Sequence, residues 1–118
     1  MDCEVKSDDG HVVQIRLAGK VSHYQIATDT DLLSTLAGPD VYAKTVLFDL
    51  AAADFLDSSG VGWLLMCHKR FQQNGGRMVL CRVPAIVMNV LKVLRMHLVF
   101  ELADNEVDAL RAAKEANS

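Results

Sequence analysis

The sequence has few of the residues that typify a disulfide scaffold, a fibrous chain or a membrane protein. Its 118 residues include two Pro, seven Gly and three Cys, too few for a repetitive or linker-dominated chain. Cys3, Cys67 and Cys81 are odd in number and lack the close Cys or His spacing of a zinc site, so we expect idle or buried thiols and no bound metal. The longest apolar runs, such as residues 64–67, fall far short of the roughly 18 residues of a membrane span.

The total charge does not favour a nucleic acid or an anionic membrane as partner, because twelve basic and fifteen acidic residues give a net charge of −3. The N-terminus, Met-Asp-Cys-Glu, is acidic and has the features of neither a signal peptide nor a transit peptide, so we expect a cytoplasmic protein. An apolar fraction of 51% with 23% charged residues fits a single folded domain over residues 1–118, with an ordered core over about residues 3–113.

Basic residues are concentrated in the middle of the chain. Residues 1–57 carry ten acids and four bases, whereas residues 58–100 carry six bases and no acid. A solvated helix face accounts for some of these bases, but the absence of any carboxylate also fits a surface that meets an acidic partner. The six bases are Lys69, Arg70, Arg77, Arg82, Lys92 and Arg95.

Apolar patterns along the chain predict strands that alternate with helices. The predicted strands cover residues 3–7, 12–18, 45–49, 78–83 and 98–102, and the first two form a hairpin. The predicted helices cover residues 25–36, 59–74, 84–94 and about 105–115. Strands alternating with helices favour parallel pairing with helices packed on the sheet. We therefore expect an α/β fold with a mixed, mostly parallel sheet of about four to five strands and about four helices.

The most informative segment is a short polar turn between the buried strand at residues 45–49 and the longest helix. Asp57, Ser58 or Ser59 could each cap that helix, by accepting hydrogen bonds from its first amides. Gly60 and Gly62 weaken the helix by about 1 kcal/mol each, which makes sense if another molecule approaches the backbone closely. A serine at a helix N-terminus is also a good site for a phosphate, because free amides and the helix dipole stabilise the added negative charge.

Three segments together resemble a known family. They are residues 46–50 (VLFDL), residues 55–62 (FLDSSGVG) and residues 74–80 (NGGRMVL), the last followed by Val83-Pro84-Ala85. In this order they are similar to the STAS domain in its free-standing bacterial form, the anti-sigma factor antagonist. The resemblance covers nearly the whole chain, from about residue 3 to residue 113.

The resemblance implies a regulatory role for the polar turn, with Asp57, Ser59, Gly60 and Gly62 as the rest of its motif. It implies that Ser58 is phosphorylated by a partner anti-sigma factor that is itself a serine kinase. The unmodified form would bind this kinase and free the sigma factor, and a phosphatase would reset the switch. No catalytic residue and no cofactor is implied.

The chain departs from the family pattern at three places. Family members commonly have an acidic residue in the turn after the second strand, as Gly-x-Leu-Asp, where this chain has Gly19-Lys20-Val21-Ser22. Arg95 and Met96 stand where a Gly-Leu pair often follows the third helix. Trp63 and Met66 occupy positions that are often small.

The outer face of the long helix is the predicted partner-binding surface. A turn of about 100° per residue places Met66, Lys69 and Arg70 opposite the apolar stripe, with Trp63 at the margin. Because Trp, Met and Arg are enriched in interfaces, we expect these four residues to contact the partner. The alternative for Trp63 is packing against a neighbouring helix.

Two other functions are compatible with the same segments. Similar STAS domains are accessory subunits of lipid-exporting ABC transporters, where they bind an ATPase. An enzyme with Ser58 or Ser59 as nucleophile is disfavoured, because the Gly-x-Ser-x-Gly elbow is absent and no histidine has a context that places it nearby. We therefore expect a regulatory protein and not an enzyme.

Overall fold

The computed structural model describes residues 2–22 and 32–105, together with residues 108 and 111. The predicted helix over residues 25–36 therefore lies within the described residues only in its last part. The predicted helix over about residues 105–115 lies almost wholly outside them. No helix in the described ranges is long and apolar enough to cross a membrane.

Strands and helices alternate along the described ranges, as the sequence predicts. Strands β1 and β2 are followed by helix α1 and a 3-10 turn, then β3, β4, α2, β5, α3, a second 3-10 turn and β6. The strands are Asp2–Asp8, Val12–Val21, Thr45–Asp49, Ala53–Leu56, Arg77–Cys81 and Glu101–Ala103. The α-helices are Leu32–Ala37, Ser58–Asn74 and Ala85–Val93, and the 3-10 turns are Val41–Ala43 and Met96–Leu98.

The six strands form one sheet in the order β1-β2-β3-β5-β6, with β4 paired to β2. The pairing of β1 with β2 is antiparallel and all the other pairings are parallel. The predicted α/β fold with a mostly parallel sheet is confirmed. The described residues contain one strand more than the sequence predicts and three α-helices where it predicts about four.

Strand β4 is the element that sequence reasoning missed, and it positions the polar turn. β2 is ten residues long and β3 only five. The first half of β2 pairs with β3, and its last residues, Gly19 to Val21, pair with β4. Because β4 leads directly into α2, this pairing brings the start of α2 beside the end of β2.

The predicted hairpin between β1 and β2 is confirmed. The Asp9 carboxylate accepts hydrogen bonds from the backbone amides of His11 and Val12, at 2.9 and 2.7 Å. Gly10 supplies the left-handed residue of the turn, with φ of +93°, a conformation that glycine adopts without a Cβ penalty. This turn starts β2 in the register that sends alternate apolar side chains into the core.

The main core lies between one face of the sheet and the helices. Inward-facing strand residues meet the apolar sides of α2 and α3, and burial of such side chains is the main favourable term in folding. A smaller cluster on the other face consists of Val12, Leu47, Val79 and Cys81. The main core includes Val13, Ile15, Leu17, Val46, Phe48, Leu64, Phe71, Leu80, Val87 and Leu91.

The cysteines agree with the expectation of buried thiols. Cys67 and Cys81 are buried and Cys3 is partly buried, and all three are free. Burial raises the pKa of the Cys3 thiol to about 11, because a thiolate is poorly solvated there. Cys3 is therefore a neutral thiol at physiological pH.

Two of the six bases in the acid-free stretch are paired with acids from outside it. Arg77 binds the carboxylate of Glu101. Arg82 binds the buried Asp49, which also accepts a hydrogen bond from Lys6 at 3.0 Å. These two residues therefore do not contribute unpaired charge to a surface for an acidic partner, because tertiary packing supplies carboxylates that are distant in sequence.

Candidate functional site

Helix α2 begins with a carboxylate cap. Asp57 has the extended backbone of a capping residue, with φ of −109° and ψ of 178°. Its Oδ1 accepts hydrogen bonds from the Gly60 amide at 2.8 Å and from the Ser59 hydroxyl at 2.6 Å. These two bonds lower the pKa of Asp57, since both stabilise the ionised form. Of the three candidate caps, Asp57 is the one that binds the helix amide.

Ser22, at the end of β2, completes a network around the Asp57 carboxylate. The buried Ser22 hydroxyl donates to Asp57 Oδ2 at 2.9 Å and lies 3.2 Å from the Ser59 hydroxyl. Ser22 is the position at which the family pattern has an acidic residue. In this chain the residue is a hydrogen-bond donor to Asp57, so it ties β2 to the start of α2.

The two serines of the motif occupy different environments. Ser58 is the first residue of α2 and its side chain is exposed. Ser59 is partly buried and its hydroxyl donates to Asp57. An incoming reactant can therefore reach the Ser58 hydroxyl directly, whereas Ser59 stabilises the helix start.

Gly60 and Gly62 differ in their surroundings. A Cβ on Gly60 would lie 2.0 Å from the carbonyl oxygen of Val21. The close approach at Gly60 is thus made by the chain's own β2, so the expectation that another molecule approaches there is wrong. Gly62 is exposed, and a Cβ on it would meet no atom within 4 Å, which leaves it open to a partner.

Trp63 is not at the surface, which corrects the prediction that it contacts a partner. Its side chain is only 5% exposed. The indole packs edge-on against Phe48 of β3, with ring centroids 6.2 Å apart. The apolar stripe of α2 is therefore wider than the sequence pattern suggests, and it includes Trp63, which packs on strand β3.

The other three predicted contact residues lie along one exposed side of α2. Met66 is 39% exposed, Lys69 is exposed and Arg70 is partly buried. The Arg70 guanidinium lies over the Tyr42 ring, with its carbon 5.7 Å from the ring centroid. Together with Gly62 they line a shallow groove of about 350 Å³. This α2 groove starts one helical turn from Ser58.

A second concave surface adjoins Ser58 directly, and sequence reasoning did not include it in the site. It has a volume of about 350 Å³. Its lining is almost entirely apolar and consists of Ser58, Asn89, Val90, Val93 and Leu94. The sequence does contain a signal for this surface. The apolar residues of α3 cover a wider face than a helix needs in order to pack on a core.

These features define a small α/β domain with an exposed serine at the start of its longest helix. No group of three or more His, Cys, Asp or Glu side chains that could hold a metal ion occurs among the described residues. The family model of the STAS domain matches residues 3–109. The chain therefore belongs to the STAS domain family, as the sequence resemblance predicts.

The chain is also similar to individual known proteins, in sequence and in fold. The chain is 28% identical over 102 residues to an anti-sigma F factor antagonist of Paenibacillus polymyxa, with 84% of each protein covered. A candidate anti-sigma factor antagonist of Thermotoga maritima has the same fold, with a TM-score of 0.80, 17% identity and coverage of 93% of this chain and 92% of that one. The phosphorylated form of the Bacillus cell-fate determinant SpoIIAA gives a TM-score of 0.64 and 20% identity, with coverage of 94% and 99%.

Proposed function

We propose that this chain is a cytoplasmic anti-sigma factor antagonist that works as a phosphorylation switch at Ser58. A serine-kinase anti-sigma factor phosphorylates Ser58, and a phosphatase removes the phosphate. The unmodified form binds the kinase and thereby frees the sigma factor. The observation that carries the proposal is the exposed Ser58 hydroxyl on the first residue of α2, beside a second serine whose hydroxyl is bound to the cap.

The surroundings of Ser58 suit a change of charge without a change of fold. A phosphate adds a charge of about −1.5 to −2, which the positive end of the helix dipole stabilises. The Asp57 carboxylate next to it is occupied by bonds to Ser22, Ser59 and Gly60. Phosphorylation would therefore leave the core intact and make the surface between the two grooves strongly negative.

The relatives support the class of partner. One curated relative bears the name anti-sigma F factor antagonist, and a protein of the same fold is known in a phosphorylated form. The proposal takes from them the chemistry of the switch and assigns it to Ser58.

The test is phosphorylation of the purified protein by its cognate kinase with ATP, followed by mapping of the modified residue by mass spectrometry. Ser58→Ala should abolish the modification and still bind the kinase. Ser59→Ala is the matched control, because it removes a neighbouring hydroxyl but leaves Ser58 accessible. Phosphate on Ser59 alone, or equal kinase affinity of modified and unmodified protein, would refute the proposal. So would a stable complex with an ABC-transporter ATPase in place of any kinase.

A further inference from the structure

Helix α3 exposes apolar side chains that the core does not use. Val93 is 81% exposed and Ile86 is 56% exposed. Leu98, in the 3-10 turn that follows the helix, is 74% exposed. Large apolar side chains exposed side by side are unusual on a monomer and mark interaction surfaces.

The exposed residues lie on one side of α3 and the core residues on another. Val87 and Leu91 are buried and sit one helical turn apart. Ile86, Val90 and Val93 follow each other at three- and four-residue intervals, which places them along one face. Together with Leu94 and Leu98, these residues form what we call the α3 face. Core packing explains Val87 and Leu91, and also part of Val90, which packs against the main core, but not the other residues of this face.

The α3 face borders the switch serine. Ser58 lines the same groove as Asn89, Val90, Val93 and Leu94. A molecule seated in this groove would contact Ser58. A phosphate there would place its charge at the rim of an apolar docking surface.

The charges on α3 and at its C-terminal end are positive. Lys92 and Arg95 are exposed at the end of α3. No acidic residue occurs between Ser58 and Phe100. The acids nearest in sequence to Ser58 are Asp57, whose carboxylate accepts hydrogen bonds from Ser22 and Gly60, and Asp54, which is exposed on β4.

We propose that the α3 face docks an acidic amphipathic helix of the partner protein, with apolar side chains in the groove and carboxylates towards Lys92 and Arg95. The link to Ser58 rests on the proposed function, since phosphorylation would repel such a helix. A protein helix is favoured over a lipid surface because only two exposed bases, Lys92 and Arg95, flank the groove. Membrane-binding helices have many bases on the polar face, and the whole chain has a net charge of −3.

The probe is a designed helical peptide of about 16 residues with Leu at helical spacing and Glu on the flanking positions. Its binding to the unmodified full-length chain is measured by titration calorimetry and mapped by NMR chemical-shift changes. Val93→Gln and Leu98→Gln should each weaken binding about tenfold, because each removes an exposed anchor of the docking face. Leu36→Gln is the matched control, since Leu36 is an exposed apolar residue on α1. Unfolding by urea checks that all three variants remain folded.

The proposal predicts that binding affinity depends on the charge of the peptide and on phosphorylation of Ser58. The same peptide with Lys in place of Glu should bind at least about tenfold more weakly, and so should the Glu peptide to protein phosphorylated on Ser58. Shifts away from α3, or no binding of the Glu peptide, would overturn it. Loss of a dimer in Val93→Gln would instead assign the face to a second copy of this chain. Binding to phosphatidylglycerol vesicles that depends on Val93 would assign it to a membrane.

The kinase assay separates this inference from the proposed function. If the kinase modifies Ser58 but binds Val93→Gln as well as the parent protein, the α3 docking surface is wrong and the switch stands. If no kinase modifies Ser58 but the acidic peptide binds the α3 face, the docking surface stands and the phosphorylation switch is wrong.

Discussion

Replacing Gly60 and Gly62 by alanine should change stability in opposite directions. Both residues lie in the first two turns of α2, where alanine is favoured over glycine by about 1 kcal/mol. At Gly62 a Cβ meets open space, so Gly62→Ala should raise the free energy of unfolding by about 0.5–1 kcal/mol. Gly62→Ala therefore measures the gain in helix propensity alone, without a change in packing.

At Gly60 the same substitution meets the backbone of β2. The Cβ would lie 2.0 Å from the Val21 carbonyl oxygen and 2.7 Å from its carbonyl carbon, far inside the roughly 3.5 Å of an ordinary contact. The helix start and the end of β2 would have to separate by more than about 1 Å, which strains the Ser22–Asp57 hydrogen bond. Overpacking of this kind costs about 1–3 kcal/mol, and we expect about 3 kcal/mol here because the overlapped atoms are backbone atoms and cannot move aside as a side chain can. After the propensity gain, Gly60→Ala should lower the free energy of unfolding by about 2 kcal/mol.

Urea unfolding followed by far-UV circular dichroism measures both variants against the parent protein. A net loss of about 2 kcal/mol leaves the variant folded, because domains of this size are stable by about 5–15 kcal/mol. Equal effects at the two positions, or a stabilising Gly60→Ala, would show that Val21 does not contact the helix and that the reasoning is wrong.

Three further outcomes follow from the contacts. Asp49→Asn should cost about 2 kcal/mol at pH 7, because it removes the carboxylate that accepts charge-assisted hydrogen bonds from Arg82 and Lys6. Burial favours a higher pKa at Asp49, but hydrogen bonds from Arg82, from the Ala51 amide and from Lys6 outweigh it and hold the pKa well below the usual range. The Asp49 contribution is therefore present above the unfolded-state pKa and lost as the pH falls through the folded-state value, so acid titration of Asp49→Asn should show a flatter stability profile. Arg95→Gly should stabilise the protein by about 0.5–1 kcal/mol in the same urea assay, because Arg95 has a φ of +59°. Met66→Ala should weaken kinase binding by about 1 kcal/mol and leave the thermal midpoint nearly unchanged, and unaltered affinity would exclude the α2 groove.

The features that the sequence predicts well depend on neighbouring residues. The hairpin follows from a turn whose Asp9 carboxylate binds amides two and three residues on. The start of α2 follows from capping chemistry at Asp57, which also acts over three residues. Arg95 stands where a glycine is often found, and the left-handed backbone there gives the physical reason for that pattern.

The features that could not be predicted depend on distant segments. Gly60 is constrained by Val21, which precedes it by 39 residues. Trp63 on α2 is buried in the core, where it packs against Phe48 of β3. Strand β4 has two exposed residues between two buried ones, so it shows neither the alternation nor the apolar run by which a strand is recognised.

The contact between Gly60 and Val21 has a consequence for interpreting other sequences with this motif. The glycine is required by the chain's own backbone, so its presence reports on architecture alone. The hydroxyl of Ser58 makes no comparable demand on the fold. A chain that keeps the glycine but has alanine at the Ser58 position should therefore adopt the same structure, and under the proposed function it would remain permanently in the unmodified state.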